Sequence, residues 1–265
     1  LLDRSKKKRE ISLGSKIKKI KGDFKNFNQL LSIIKKNKIN TIIHLGASTQ
    51  VIGSYKNPYD TFQTNIIGTI NILEAVRIVN KNINIIFSST VKAYGKMINK
   101  SYKETDPLHG DLPDEVSKSA ADLVAQSYAK TYGLRVGIFR SCNIYGPADF
   151  NMDRLIPGTI IKAFRGKPVK LRTSGKLKRD YLYVDDASNA FYKLILQMNK
   201  NVKKNLFIYN LGSKFNLSSL EVVKWIYKIM NINLKPVILN SSSIEIIAQK
   251  IDFSKAKKEL KWRPK

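Results

Sequence analysis

The 265-residue sequence is poor in the residues that bind metals or form disulfides. It has one cysteine, Cys142, and two histidines, so a disulfide within the chain is excluded and no His, Cys or carboxylate spacing indicates a metal. No apolar run approaches the roughly 20 residues that cross a bilayer. The charged first ten residues do not resemble a signal peptide. We therefore expect a cytoplasmic protein with no metal and no membrane association.

Acidic residues are also scarce. The chain has 20 Asp and Glu against 48 Lys and Arg, which gives a formal net charge of +28. Such a charge attracts anionic ligands such as nucleotide diphosphates by long-range steering. It also raises the alternative of a nucleic-acid binder. Because the lysines are scattered over nearly every segment rather than gathered in one stripe, we expect nucleic acid not to be the partner.

Short apolar runs alternate with longer segments whose apolar residues recur at helical spacing. In chain order, the sequence predicts a helix over 27–37, a strand over 41–45, a helix over 58–79, a strand over 83–87, a helix over 116–132 and a strand over 135–140. Uninterrupted apolar strands are typical of parallel sheets covered on both faces. The pattern predicts a doubly wound, Rossmann-like α/β fold.

A glycine-rich turn is missing from this pattern. A doubly wound dinucleotide site normally begins with a strand, a G-x-G-x-x-G or G-x-x-G-x-x-G turn and a helix whose N-terminus holds the pyrophosphate. The sequence contains no such run. We therefore expect that the first βα unit is absent, that residues 1–3 end the second strand, and that the final segment, 260–264, normally continues further.

The rhythm of the sequence changes after Gly146 and Pro147, where the elements become shorter. This predicts a Rossmann-like domain over residues 1–147 and a smaller α/β region over 148–265, with some of its segments returning to the Rossmann sheet. Within the second region, Ser218 and Glu221 have the spacing of a capping box and open a helix that runs through Met230.

Several separated motifs together resemble the extended short-chain dehydrogenase/reductase family of nucleotide-sugar epimerases and dehydratases. They are HLGAS at 44–48, NIIGT at 65–69, FSST at 87–90 with YG at 94–95, NIYGP at 143–147, RDY at 179–181 and VDD at 184–186. Two further segments, VSKSAADL at 116–123 and RLIPGT at 154–159, look most like the 4,6-dehydratase branch, including enzymes that act on CDP-glucose. An epimerase is the nearest alternative.

The resemblance implies an enzyme with NAD as its cofactor and a nucleotide-diphosphate sugar as its substrate. It implies a homodimer formed by the long helices near 58–79 and 116–132. The residues implied to bind the cofactor are Asp3 on the ribose, Asp23 on the adenine, and Ala47, Ser48, Asn65, Ser88, Ser89 and Lys118. Those implied to bind the sugar nucleotide are Asn143, Leu155 and Arg179.

The implied catalytic residues are Thr90, Asp114 and Lys118, and this set departs from the family pattern. The family has a tyrosine as proton acceptor four residues before the lysine, where this sequence has Asp114. A free aspartate is weaker than tyrosine as a proton acceptor by about 6 pKa units. Many dehydratases also carry an acid directly after the catalytic Thr, where this chain has Val91. The alternatives are therefore a 4,6-dehydratase, a 4-epimerase and a catalytically impaired binder of nucleotide sugars.

Overall fold

The computed structural model describes residues 2–3, 17–49, 51–95, 101–241 and 249–265. The strands are β1 Leu2–Asp3, β2 Ile20–Lys21, β3 Thr41–His44, β4 Asn84–Thr90, β5 Arg135–Ser141, β6 Asn143–Tyr145, β7 Lys170–Leu171, β8 Lys178–Tyr183, β9 Leu206–Leu211, β10 Asn216–Ser218 and β11 Val237–Ile238. The helices are α1 Phe27–Lys36, α2 Val51–Lys56, α3 Pro58–Phe62, α4 Gly68–Val79, α5 Pro113–Tyr132, α6 Leu155–Phe164, α7 Val184–Lys200, α8 Ser219–Ile229 and α9 Ser254–Glu259.

The chain divides into two compact units that interleave in sequence. The first comprises Leu1–Gly95, Pro107–Arg140 and Phe191–Tyr209, and the second Lys96–Asp106, Ser141–Ala190 and Asn210–Lys265. Each unit is therefore built from three separate stretches of chain. The domain boundary after residue 147, which the shorter elements beyond it predict, stays a prediction.

The first unit is organised around a four-stranded sheet in the order β3-β4-β5-β9. Strands β3 and β4 are parallel, in a register that pairs Thr41 with Asn84 and His44 with Phe87. All seven residues of β5 are buried, as expected for a strand covered on both faces. Strands β1 and β2 form a separate parallel pair. This alternation of buried strands and helices confirms the predicted α/β class.

The core of the first unit lies where α1, α4 and α5 pack with the strands. Its fully buried members include Leu73, Val76 and Ile85. The ring of Phe24 packs closely against two glycines. A Cβ added at Gly46 would lie 2.6 Å from the ring, and one at Gly68 would lie 2.2 Å away. A larger residue at either position would require the Phe24 ring to move.

Five of the predicted elements become strands or helices close to their expected bounds, and the sixth is a composite. The predicted helix over 58–79 consists of α3, a π-helical turn over Gln63–Ile67, and α4. Such turns occur frequently at functional sites. No helix in the described ranges is long and apolar enough to cross a membrane.

The second unit contains two small sheets. One has the order β10-β8-β6, with β10 antiparallel and β6 parallel to β8, and the other pairs β7 with β11. Helix α8 begins with the predicted capping box: Glu221 N–H donates to Ser218 Oγ, and Ser218 N–H donates to Glu221 Oε2. A core that includes Ala163 and Val223 lies between α6 and α8.

Candidate functional site

Five of the sequence-predicted site residues lie at the carboxyl ends of β3 and β4 in the first unit. Ala47 and Ser48 follow β3, and Ser88 to Thr90 end β4. Lys118 projects from α5, one turn after Asp114. In open α/β sheets, ligands bind in the crevice outside the carboxyl ends of the strands. The structure therefore places this group where the fold class binds its ligands.

Lys118 is a buried cation at this edge. Its side chain donates from Nζ to the Ser88 carbonyl at 2.6 Å, and Nζ lies 4.6 Å from the centre of the Phe87 ring. Burial lowers the pKa of the Lys118 ammonium to about 8, while the negative charge of Asp122 opposes that shift. A lysine with this pKa changes its charge close to neutral pH.

His44 lies beside Lys118 and is uncharged. Burial and the positive charge of Lys118 together lower the pKa of His44 to about 3. The hydroxyl of Thr69 donates to the Asn65 carbonyl at 2.6 Å, so His44 Nε2 donates to the Thr69 oxygen at 3.2 Å. The ring is enclosed by Phe24 and Phe87. His44 is thus a neutral core residue rather than a metal ligand or a proton carrier.

Asn65 holds the loop after β3 in place. Its Oδ1 accepts from Ser48 N–H at 2.8 Å, and its Nδ2 donates to the Ser48 carbonyl and to Ser117 Oγ at 2.9 and 2.8 Å. These bonds use both donors and one acceptor position of the amide. Because Asn65 is also buried in the π-helical turn, it positions the loop and α5 rather than presenting its own amide.

Thr90 and Asp114 are joined through one lysine. Thr90 Oγ1 accepts from Lys92 N–H at 3.3 Å in the short 3-10 turn over Val91–Tyr94. The Lys92 ammonium donates to Asp114 Oδ2 at 3.2 Å. The other carboxylate oxygen of Asp114 is buried and has no hydrogen-bond partner within the described part of the chain. Asp114 therefore faces Lys92.

The remaining cofactor candidates differ in how well they are placed. The Ser89 hydroxyl is buried and has no hydrogen-bond partner among the described residues. Asp23 sits in the turn before α1, where its carboxylate accepts from Lys25 N–H at 3.0 Å. Asp3 pairs with Lys21 through the β1 and β2 backbones, and its side chain is outside the described part of the structure.

The sequence did not reveal a buried charged network next to this edge. Arg140 donates from Nε and Nη2 to the two carboxylate oxygens of Asp122, each at 3.0 Å, and from Nη1 to Tyr94 Oη at 2.9 Å. All three residues are buried. The only signal available in the sequence was that Asp122 follows Lys118 by four residues, the spacing of neighbours on one helix face.

The second unit contains a cavity of about 400 Å³ between α6, β7 and the start of α8. The predicted residue Leu155 lines it. Its charged lining residues are Arg154, Lys162, Lys170, Arg172 and Asp153. Asn143 and Arg179 do not line this cavity: Asn143 is exposed on β6, and Arg179 donates to the Lys178 carbonyl at 2.8 Å. Of the three substrate candidates, Leu155 alone lines this cavity.

No cluster of three or more potential metal ligands occurs among residues 17–49, 51–95, 101–241 and 249–265. Cys142 is a free thiol whose pKa is raised by burial.

Comparison with known proteins agrees with this fold. The model of the family described as GDP-mannose 4,6 dehydratase matches residues 2–265. A dTDP-D-glucose 4,6-dehydratase of Dictyostelium discoideum is 35% identical over 225 residues, which cover 81% of this chain and 50% of that protein. A CDP-paratose 2-epimerase of Salmonella typhi is 30% identical over 93% of this chain and 79% of its own length. The chain thus spans from half to about four fifths of these relatives.

Solved structures show the same fold. UDP-glucose 4-epimerase of Thermotoga maritima, with UDP-glucose, superposes with a TM-score of 0.90 over 100% of this chain and 84% of that one, at 24% identity. A dTDP-glucose 4,6-dehydratase of Bacillus anthracis in complex with NAD gives a TM-score of 0.79 at 28% identity, over 93% of this chain and 74% of that one.

The parallel-sheet architecture, the family model that matches residues 2–265 and the dehydratase relative define a Rossmann-like protein of the extended short-chain dehydrogenase/reductase class. Within that class, the chain belongs to the GDP-mannose 4,6 dehydratase family, which confirms the resemblance seen in the sequence.

Proposed function

We propose that this chain takes part in the NAD-dependent modification of a nucleotide-diphosphate sugar through a keto intermediate, with 4,6-dehydration as the first candidate reaction. The observation that carries the proposal is the buried Lys118 ammonium at the carboxyl edge of the sheet, with its pKa near 8. A site that holds a partly neutralised lysine next to a Ser–Ser–Thr strand end is suited to proton and hydride chemistry. The dehydratase relatives support this choice.

The residues present fit the nicotinamide–ribose half of NAD. Lys118 offers a cation and N–H donors, the Ser89 hydroxyl is buried without a partner in the described ranges, and Ala47 and Ser48 form a loop fixed by Asn65. When bound, NAD accepts the hydride that leaves the sugar carbon. Lys118, Ser88 and Ser89 would hold the nicotinamide side, and Asp23 and Asp3 the adenosine side. Thr90 would hydrogen-bond the sugar hydroxyl.

Epimerisation is the second candidate, and the residue after Thr90 favours it. Val91 is 3% exposed and aliphatic, so it can neither donate nor accept a proton. Dehydration needs an acid and a base to remove water, whereas epimerisation needs only oxidation and reduction at a carbon. Dehydration would make the chain a lyase, and epimerisation would make it an isomerase. In either case we assign it to carbohydrate biosynthesis in the cytoplasm.

The sugar nucleotide would be held by cations of the second unit. Lys162, Lys170 and Arg172 line the same cavity as Leu155. Guanidinium and ammonium groups are suited to phosphate oxygens. Asn143 and Arg179 remain substrate-binding candidates from the motifs that contain them.

The chain would act as a homodimer through the helices of its first unit. Tyr59 of α3, Ile67 of the π-helical turn and Leu123 of α5 are all exposed large apolar side chains. Exposed apolar groups gathered on helices mark association surfaces. A duplex nucleic acid is not proposed as a partner.

Mass spectrometry tests the proposed function most broadly. The protein would be incubated with NAD and a panel that includes dTDP-glucose and UDP-glucose. Loss of one water from one of them would support dehydration. An unchanged mass with a new isomer on chromatography would support epimerisation. An unchanged mass and no isomer, with binding retained, would leave a nucleotide-sugar binder and contradict both catalytic proposals.

A further inference from the structure

Lys92 contacts two of the three residues that the resemblance implies to be catalytic, Thr90 and Asp114. Its backbone N–H donates to Thr90 Oγ1 at 3.3 Å, and its ammonium lies 3.2 Å from Asp114 Oδ2. Thr90 and Asp114 are 24 positions apart in sequence, and Lys92 contacts the first through its backbone and the second through its side chain.

Exposure distinguishes the two charged partners. The side chain of Asp114 is 7% exposed, whereas that of Lys92 is 35% exposed. The second oxygen of Asp114 is buried, so the carboxylate has no open oxygen to offer a ligand in this arrangement. An ammonium carries three donors, of which Asp114 takes one. Lys92 is therefore the member of the pair that can meet a substrate oxygen.

The chemistry of the side chains makes the same distinction. A free tyrosine, the family's residue at position 114, titrates near 10, a free lysine near 10.4 and a free aspartate near 3.9. As a proton acceptor for an alcohol, a lysine amine thus matches the tyrosine to within about half a pKa unit, and an aspartate falls short by about 6.

We propose that Lys92 Nζ exchanges the proton of the sugar hydroxyl beside Thr90, and that Asp114 is the positioning residue that holds Lys92 there. The inference rests on the proposed function. During oxidation the carbinol O–H bond breaks, its proton forms a new N–H bond on the neutral Lys92 amine, and the C–H electron pair leaves as the hydride assigned to NAD. The carbon becomes a carbonyl carbon. In the reverse step the Lys92 ammonium returns the proton to the carbonyl oxygen.

Among the described residues, two acids that interact with Lys92 lie in the first turn of α5. Asp114 is in direct contact with Lys92. Burial raises the pKa of Glu115, and the positive charge of Lys92 opposes that shift.

Two substitutions test whether Lys92 acts as a proton acceptor or only supplies a positive charge. Lys92→Arg keeps a cation opposite Asp114 but cannot lose its proton, and Lys92→Met removes the group altogether. We expect both to slow single-turnover reduction of the nicotinamide by about 10²- to 10⁴-fold. Lys25→Arg is the matched control, because Lys25 pairs with Asp60 at 3.0 Å in the same unit; it should leave the rate unchanged.

A second measurement does not depend on turnover. In protein with isotopically labelled lysine, the Lys92 side-chain NMR signal is identified by its loss in Lys92→Met. We expect that signal to shift when UDP-glucose or dTDP-glucose is added, whereas the Lys25 signal stays in place. Calorimetry should give the same nucleotide-sugar affinity for Lys92→Arg and the parent chain to within about threefold, or about 0.7 kcal/mol.

The outcomes separate the two proposals. A parent-like rate in Lys92→Arg, or an unmoved Lys92 signal with nucleotide sugar bound, would overturn the role of Lys92 and leave the proposed function standing. If the parent chain binds neither nucleotide sugar, or binds one without reducing the nicotinamide, the proposed function and the role of Lys92 both fall.

Discussion

Two groups of cations, one in each unit of this protein, differ in their burial and in their partners. In the first unit, Lys118 and Arg140 are buried, and each is held by a specific partner: a backbone carbonyl and an aromatic face for Lys118, and the Asp122 carboxylate for Arg140. In the second unit, Lys162, Lys170 and Arg172 are exposed around a cavity. Burying a charge is costly unless it is paired, whereas an exposed cation attracts anions at little cost.

The contrast indicates a division of tasks. Buried, partnered charges have fixed positions and shifted pKa values, which proton and hydride chemistry requires. Exposed cations have neither property, but they attract phosphate groups from solution. We therefore expect substitutions in the first unit to change chemistry or stability strongly, and substitutions in the second to change binding modestly.

The largest expected effect is on Lys118. Lys118→Met should slow single-turnover nicotinamide reduction by about 10³-fold. The substitution removes the buried ammonium, which is the group assigned to the ribose of NAD and the source of positive charge at the site. The measurement is the nicotinamide absorbance after mixing with NAD and nucleotide sugar. Lys204→Met is the matched control, since Lys204 also lies over a ring, that of Phe207, at 5.0 Å. A loss of less than about threefold in Lys118→Met would contradict the assignment.

Stability provides the next comparison. Arg140→Met leaves the buried Asp122 carboxylate without its guanidinium partner, so the free energy of unfolding should fall by about 3–5 kcal/mol. Arg154→Met in the second unit removes an exposed contact with Asp149 at 3.2 Å and should cost no more than about 1 kcal/mol. Urea denaturation of both variants measures the difference. Equal losses would show that the buried and exposed cations do not differ as described.

Asp180, a buried carboxylate in the second unit, should make the free energy of unfolding depend on pH. Burial raises the pKa of Asp180 to about 6, although Asn216 Nδ2 and Ile251 N–H donate to it at 2.7 and 3.1 Å. Between about pH 4 and 6 the folded state binds more protons at Asp180 than the unfolded state does. The contribution of Asp180 to stability therefore falls as pH rises through this window, by at most about 3 kcal/mol.

The test for Asp180 is thermal unfolding between these pH values. The stability of the parent chain should fall relative to that of Asp180→Asn as pH rises from about 4 to 6, and the gap should stay constant above pH 6. A gap that does not change with pH would mean that Asp180 titrates at its ordinary value.

The smallest expected effect concerns the cavity cations. Lys170→Gln should weaken binding of UDP-glucose about fivefold, equivalent to about 1 kcal/mol, because one exposed charge is lost. The difference should shrink as salt is added, since exposed charges are screened. Calorimetry at two ionic strengths measures both effects. A loss that is independent of salt would indicate a desolvated contact instead.

The sequence predicted the fold well because its signals are local. Apolar periodicity sets α1, β3, β4 and β5, and the capping box at Ser218 sets the start of α8. Such patterns depend on neighbouring residues and on the alternation of elements, both of which can be read directly from a sequence.

The arrangement of the candidate site was predicted less completely, because it depends on contacts between distant residues. The sequence identified Asp114 as a departure, but the pairing of Asp114 with Lys92 spans 22 positions and forms only when the turn after β4 packs on α5. The bond between Asp122 and Arg140 spans 18 positions for the same reason. Asn65 was predicted to contact the cofactor, and in the structure its side-chain amide is hydrogen-bonded to Ser48 and Ser117.

The most direct test of the central claim follows one hydrogen atom. The protein, NAD and UDP-glucose or dTDP-glucose deuterated at hexose C4 would be mixed, quenched within a single turnover and examined by mass spectrometry. If the first unit carries out the proposed oxidation, part of the nicotinamide gains one deuterium, and Lys118→Met shows almost none. Unlabelled nicotinamide, in a sample where calorimetry shows both ligands bound, would contradict the account.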